Sequence, residues 1–142
     1  MSVMWAGVIL VNRRSQILLL LRDDIPTIGY PNHWTIVGGC IEDGEAPEEA
    51  AIREVKEEID VRLAGVSPFR RYDIADGHRD KPVPYYVYWS GLDKELAELT
   101  LGEGQDMRFF SAEELSSLRI IPHEGEILRE FLASPYYVLE PS

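Results

Sequence analysis

The chain has 142 residues, 45% hydrophobic and 27% charged, with 25 acidic against 14 basic side chains and a formal net charge of −11. That length fits one domain, 1–142, whose core needs neither disulfides nor a structural metal. The acidic balance excludes a nucleic-acid polymer as partner, because binding a phosphate backbone needs a basic footprint, but it leaves an anionic small molecule open where a metal and local cations reverse the field.

Cys40 is the single cysteine, so no intramolecular disulfide framework and no cysteine zinc cluster is available. A reducing cytoplasm is the expected compartment. The first apolar run, 3–11, has nine residues. It is too short to span a bilayer and lacks a basic n-region and a cleavage site, so neither a membrane partner nor a secretory leader is expected.

In chain order, 3–11 reads as a buried strand, followed by a polar turn at 12–15 and a second apolar strand at 17–21. Two apolar strands this close pair most simply as an antiparallel hairpin. Arg22 emerges at the end of the second strand, where a solvated strand-end charge is the plain alternative to a binding role. Residues 23–33 contain Pro26, Gly29 and Pro31 and form a loop long enough to border a site. A short apolar segment, 34–37, leads into Gly38 and Gly39, a pair that permits positive φ and a close backbone approach to a ligand. Cys40, next in line, invites a nucleophile reading, but no histidine lies nearby in sequence to activate it, and packing is the better expectation.

Pro47 opens a helix to about residue 59, with acids at Glu45, Glu48 and Glu49 near the positive end of its dipole. Its apolar stripe is Ala51, Ile52, Val55 and Ile59. Glu54, Glu57 and Glu58 stand at i, i+3 and i+4, so their side chains leave one face in a sector roughly 100° wide with no Lys or Arg inside it. Like charges at these spacings repel, and a divalent cation with its preference for carboxylate oxygens turns that cost into a binding site. The sector borders the apolar stripe, which places Glu54 and Glu58 at the edge of the core.

Beyond the helix, 61–71 reads as an extended segment ending at Tyr72, and 73–81 as an exposed loop broken at Gly77. The run 83–90, VPYYVYWS, is a strand whose aromatics are expected to pack. A helical turn within 91–100, a tight loop at 102–105 and a short strand at 107–110 follow. Ser111 and Glu114 form a capping box for a short helix to about residue 118. Pro122 starts a last helix with Ile127, Leu128, Phe131 and Leu132 on its apolar face, ended by Pro135. This order of elements gives an α/β or α+β layer structure.

From Gly39 the chain reads Gly, five residues, Glu45, seven residues, then Arg53-Glu54-Val55-Lys56-Glu57-Glu58-Ile59-Asp60-Val61. This resembles the Nudix box, Gly-x5-Glu-x7-Arg-Glu-U-x-Glu-Glu-x-Gly-U with U aliphatic, and departs from it only at Asp60, where the family has glycine. The resemblance implies a Nudix hydrolase of MutT-like type: an α/β/α sandwich with a mixed sheet, the box loop and helix on one face, and C-terminal helices. It implies hydrolysis of a nucleoside diphosphate linked to another moiety, with Mg²⁺ or Mn²⁺ as cofactor. Glu54, Glu57 and Glu58 are then metal ligands, joined by the Gly39 carbonyl. Arg53 orients them, Glu45 holds the loop by pairing with Arg53, and Glu57 or Glu58 assists deprotonation of the attacking water.

By the same resemblance, Glu103 in Glu-Gly-Gln serves as an extra metal ligand or base, Arg22 contacts nucleotide, and His123 reads the base. A nucleoside triphosphate, oxidised forms included, cut to monophosphate and pyrophosphate is the first expectation. ADP-ribose, a nucleotide sugar or a dinucleoside polyphosphate is the alternative substrate. A non-catalytic nucleotide-sensing module on the same fold is the competing class. Relatives occur as monomers and as homodimers. Asp60 is expected to occupy a left-handed helix end that aspartate tolerates.

Overall fold

The computed structural model describes residues 3–75 and 81–137. Part of the expected 73–81 loop and the tail beyond residue 137 lie outside these. The elements are β1 (Trp5–Val11), β2 (Ile17–Leu21), β3 (Trp34–Thr35), β4 (Val37–Cys40), α1 (Pro47–Ile59), β5 (Ser67–Ile74), β6 (Val83–Gly91), a 3-10 turn at Leu96–Glu98, β7 (Asp106–Phe110), α2 (Ala112–Leu115) and α3 (Pro122–Leu132). The strands form one seven-stranded mixed sheet in the order β3-β2-β1-β6-β5, with β4 added to β1 and β7 to β2.

β1 and β6 are parallel from Trp5↔Tyr85 to Val11↔Gly91, and the other pairings are antiparallel. Helices cover both faces, so the central strands are buried on both sides and read as continuous apolar runs. On one face Ala6, Val8, Leu10, Leu18, Leu20 and Val37 pack with Ala50, Ala51, Val55 and Ile59 of α1. On the other, Ile9, Ile17, Leu19, Ile36 and Val87 pack with Leu115 of α2 and Ile127, Leu128 and Phe131 of α3. The chain is thus the expected α/β/α sandwich.

The expected β1–β2 hairpin is reduced to a single rung, Val11↔Ile17. The two strands then part, and residues 34–40 fill the gap: β3 pairs with β2, the chain breaks at Ile36, and β4 pairs with β1. A partner switch inside a sheet opens a crevice where a ligand can reach backbone groups.

Other boundaries move as well. Residues 61–66 stay irregular, so the strand expected from 61 starts at Ser67, and the helix expected to 118 ends at Leu115. The Ser111–Glu114 capping box is present, with Glu114 N–H donating to Ser111 Oγ and Ser111 N–H to Glu114 Oε1. Asp60 caps α1 in the left-handed region at φ 57°, ψ 44°, and its carboxylate pairs with Lys56, which offsets the unfavourable placement of an acid at a helix C-terminus. Among the described residues no helix is long and apolar enough to cross a membrane.

Candidate active site

The loop before α1 is held by one arginine. Arg53 donates from Nε and Nη2 to Glu45 (2.8 and 3.0 Å) and from Nη2 to the Cys40 carbonyl (2.9 Å), while Glu45 also accepts the Glu42 N–H at 3.0 Å. The Arg53 guanidinium holds the Glu45 carboxyl below its ordinary range, against the opposing effect of burial. Because Arg53 is anchored to the loop, its Nη1 falls within reach of Glu54 at 3.0 Å and Glu57 at 3.2 Å. The carboxylate sector is therefore not free of cations, as the helical wheel alone suggested: a residue outside the sector reaches into it from the preceding position.

The carboxylates differ sharply in setting. Glu54 is only 8% exposed, and burial, with the charges of Glu57 and Glu45 behind it, pushes its carboxyl up against the opposing pull of Arg53. Glu58 is half-buried and its carboxyl is pushed up to about 7, first by burial and then by the negative charges of Glu54, Glu103 and Glu57. Glu57 is exposed. Glu103 is exposed too, on a loop tied to the end of α1 by the Gly102 N–H, which donates to the Glu58 carbonyl at 2.8 Å. That bond satisfies one of the orphan carbonyls of the helix terminus.

The two glycines of the loop act through space and not through conformation. Among the described glycines only Gly44 and Gly104 have positive φ. A Cβ on Gly39 would lie 2.5 Å from Glu54 Oε1, so the bare Cα is what lets the buried carboxylate sit against the loop. On Gly38 it would meet the Ala6 carbonyl at 2.4 Å, so that glycine serves the β4–β1 pairing.

Four carboxylates in this setting suit a hard divalent cation, since each shifted group reports negative charge crowded into poorly solvated space. Among the described residues, however, no three such side chains converge into a ready coordination shell. Arg53 Nη1 sits between Glu54 and Glu57 instead.

Beside the carboxylates lies a cleft of about 590 Å³ whose walls include Trp5, Arg22, Tyr30, Gly38, Gly39, Tyr85, His123 and Glu124. His123 stacks on Trp5 with 6.2 Å between centroids and 16° between planes, while Tyr30 and Tyr85 meet His123 edge-on at 6.3 and 6.0 Å. Burial lowers the affinity of His123 for a proton. Cys40 also lines this cleft but is exposed, so the expectation that it packs is wrong. A smaller hollow of about 140 Å³ shares Arg22, Thr35, Ile36 and Gly38 with the cleft and reaches Glu58, Glu103 and Gly104. The expected residues thus fall into two connected groups, Gly39, Glu45, Arg53, Glu54, Glu57, Glu58 and Glu103 at one end and His123 at the other, with Arg22 between.

Glu124 is the residue that sequence reasoning missed. It is 5% exposed at the floor of the cleft, and its Oε1 accepts from Thr35 Oγ1 (2.7 Å) and from the Ile36 N–H (2.8 Å), while Oε2 lies 3.2 Å from the Tyr85 hydroxyl. Burial pushes its carboxyl up against these hydrogen bonds. The signal was there: Glu124, Ile127, Leu128 and Phe131 follow i, i+3, i+4, i+7, which puts an acid on the apolar face of α3. Trp5, Tyr30 and Tyr85 carried no comparable signal, being aromatics in or beside apolar strands and loops.

Comparison with known proteins agrees with this arrangement. The family model for the NUDIX domain matches residues 1–131. A Bacillus subtilis (strain 168) protein named provisionally as an 8-oxo-dGTP diphosphatase is 43% identical over 59 residues, 42% of this chain and 36% of that protein. The nucleoside triphosphatase NudI of Enterobacter sp. (strain 638) is 33% identical over 97 residues, 63% of this chain and 69% of that protein. The chain thus spans about a third of the first relative and about two thirds of the second. The crystal structure of a MutT protein from Methanosarcina mazei Go1 superposes with a TM-score of 0.78 over 92% of both chains at 17% identity, a likeness of fold.

Proposed function

The chain belongs to the Nudix family of hydrolases, and from that premise we propose a divalent-metal-dependent pyrophosphohydrolase that cuts a nucleoside triphosphate, oxidised forms included, to monophosphate and pyrophosphate. The observation that carries this reading is the continuity of the aromatic cleft with the carboxylate end, through a shared wall at Arg22 and Gly38. A planar base entering the cleft meets the rings of Trp5, Tyr30 and His123 along its wall, and phosphates directed along that wall arrive at Glu58 and Glu103. The names of two relatives, a nucleoside triphosphatase and a provisional 8-oxo-dGTP diphosphatase, support the same substrate class.

In this reading each residue has a task that follows from its setting. Trp5 and His123 offer ring surface to the base, and Glu124 Oε2, which among the described residues accepts from Tyr85, has a lone pair left for an N–H on the base edge. Arg22 brings positive charge to the phosphates. Glu54, Glu57, Glu58, Glu103 and the Gly39 carbonyl would hold Mg²⁺ or Mn²⁺. When bound, the metal neutralises phosphate oxygens and makes water nucleophilic near neutral pH.

Arg53 keeps Glu54 and Glu57 aimed at the site through its anchor on Glu45. Among the described residues Arg53 pairs with Glu42, Glu45, Glu54 and Glu57 and not with Glu58, which leaves the Glu58 carboxylate to take the proton of the attacking water. The water oxygen bonds to phosphorus, the bond from phosphorus to the α–β bridging oxygen breaks, and pyrophosphate leaves. The test is a panel of nucleoside triphosphates, oxidised nucleotides, ADP-ribose, nucleotide sugars and dinucleoside polyphosphates with Mg²⁺, with products identified. Release of pyrophosphate from a triphosphate supports the reading; tight binding without turnover across the panel would make the chain a nucleotide-sensing module.

A further inference from the structure

The loop that carries Glu103 is fastened to two different parts of the site. At one end the Gly102 N–H donates to the Glu58 carbonyl at 2.8 Å, and a Cβ on Gly102 would lie 2.6 Å from the Glu57 carbonyl oxygen, so the loop lies against the end of α1. At the other end the Gln105 N–H donates to the Leu21 carbonyl at 2.8 Å, at the end of β2. Glu103 hangs between these two anchors.

The side chain of Gln105 adds a third link. Its Nε2 donates to the Arg22 carbonyl at 2.8 Å and to Asn32 Oδ1 at 2.9 Å, which uses both amide hydrogens. Arg22 and Asn32 close the 23–33 loop on itself. The Arg22 N–H donates to the His33 carbonyl (2.9 Å), Arg22 Nε to the Gly29 carbonyl (2.8 Å), and the Asn32 N–H to the Asp23 carbonyl (3.2 Å). This loop presents Tyr30 to the cleft, edge-on to both His33 and His123. Tyr30 and Asn32 both have left-handed backbones, φ 49° and 60°, a region that L-residues enter at a cost. The shape of the loop is therefore imposed by its anchors, and Gln105 is one of them.

We propose that Gln105 is a positioning residue that couples the nucleobase cleft to the Glu103 loop, so that contact between a base and Tyr30 is transmitted through Asn32 and the Gln105 amide to the placement of Glu103. The proposal rests on the reading of Glu103 as part of the reacting end. Its physical basis is that binding energy from a non-reacting part of a substrate raises turnover only if it is spent on positioning at the reacting centre. A nucleotide whose base reaches Tyr30 would be turned over faster, and not merely bound more tightly, because of this link.

The test is a double-mutant cycle in the intact chain with Mg²⁺ and a nucleoside triphosphate. Gln105→Met keeps the length of the side chain and removes both donors. It is expected to lower kcat by about tenfold with KM unchanged or lower. Tyr30→Ala is expected to lower kcat by a similar factor in the unaltered chain but only to raise KM in the Gln105→Met background, so that the kcat losses do not multiply. A hundredfold loss of kcat in the double variant, or unaltered kcat in Gln105→Met, would overturn the coupling.

Amide hydrogen exchange of the metal-free protein tests the link without turnover. Gln105→Met should speed exchange in both 23–33 and 102–105, and faster exchange confined to 102–105 would also overturn it. If the unaltered chain hydrolyses no nucleoside triphosphate, the functional reading falls at that first measurement, and exchange still decides whether the two loops are joined.

Discussion

The box helix and the aromatic cleft are built in opposite ways. The helix end draws all its charged groups but Glu103 from one continuous stretch, Gly39 to Asp60, organised by a single guanidinium that touches Cys40, Glu45, Glu54 and Glu57. The cleft takes Trp5 from β1, Tyr30 from a loop, Tyr85 from β6, and His123 with Glu124 from the start of α3. In the first region local chain geometry does the assembly, so spacing along the sequence is the structure. In the second, sheet topology does it, and sequence distance carries no information. The division also separates two tasks, charge for the phosphates and aromatic walls for the base, which meet at the Gln105 side chain.

If the division holds, the largest effects on turnover come from the helix end. Glu54→Gln keeps the acceptor for Arg53 but removes a buried charge, and kcat should fall by roughly two to three orders of magnitude, the scale of losing one preorganised charged group. KM for the nucleotide should stay within about threefold, and thermal stability should hold or rise because a buried charge is relieved. A change in KM with kcat preserved would put Glu54 on the binding side and break the comparison.

Next in size is a contrast between two adjacent glycines. Gly39→Ala pushes only the end of a flexible side chain, Glu54, and should cost roughly ten- to a hundredfold in kcat with little change in melting temperature. Gly38→Ala meets backbone at Ala6 and Gly7 and should destabilise by about 1–3 kcal/mol. Equal stability losses in thermal denaturation would show that both glycines serve strand pairing alone.

The cleft should answer in selectivity. Glu124→Gln replaces one carboxylate oxygen by a donor next to Tyr85 and should change the kcat/KM ratio between bases by about tenfold, with kcat on the preferred base within about threefold. Uniform loss across all bases would mean that the carboxylate only supports the fold.

The smallest effect is in pH. Glu58 has a folded value of about 7 against an ordinary 4.5, so its folded form holds a proton that the unfolded chain releases. Its contribution to stability is fully present below 4.5 and is lost as pH rises through 7. Melting temperatures in chelator should therefore decline across that window, while the gain from added Mg²⁺, which competes with the proton, grows by a few degrees. A Mg²⁺ shift independent of pH would remove Glu58 from the site.

What could be read from the chain follows the same division. Helix α1, its carboxylate face, the Glu45–Arg53 pair and the left-handed cap at Asp60 all arise from interactions within about fifteen residues; spacing exposed the helix and its carboxylate face, and the resemblance to the Nudix box the pair and the cap. The antiparallel β1–β2 pairing was legible but its length was not, because proximity in sequence says nothing of the competition from β4 for the same edge of β1. The reach of Arg53 into the carboxylate sector was hidden because a helical wheel describes where side chains start and not where long ones end. Cys40 was expected to pack because no histidine lies near it in sequence, yet it is exposed at the end of β4. Glu124 needed the tertiary fact that the apolar face of α3 meets the break at Ile36.

That break has a consequence for how the molecule can change. Where β3 hands over to β4, the Ile36 N–H leaves the sheet and is taken by Glu124, which also accepts from Thr35. The floor of the cleft is therefore part of the seam that closes the sheet, and removing the carboxylate would strand buried donors at roughly 1–3 kcal/mol each. Tyr30 and His123 carry no such debt to the fold, so substitutions that retune the preference for a base are cheapest on the walls. Variants selected for a new substrate should accumulate changes at Tyr30 and His123 first and reach Glu124 only after stabilising changes elsewhere.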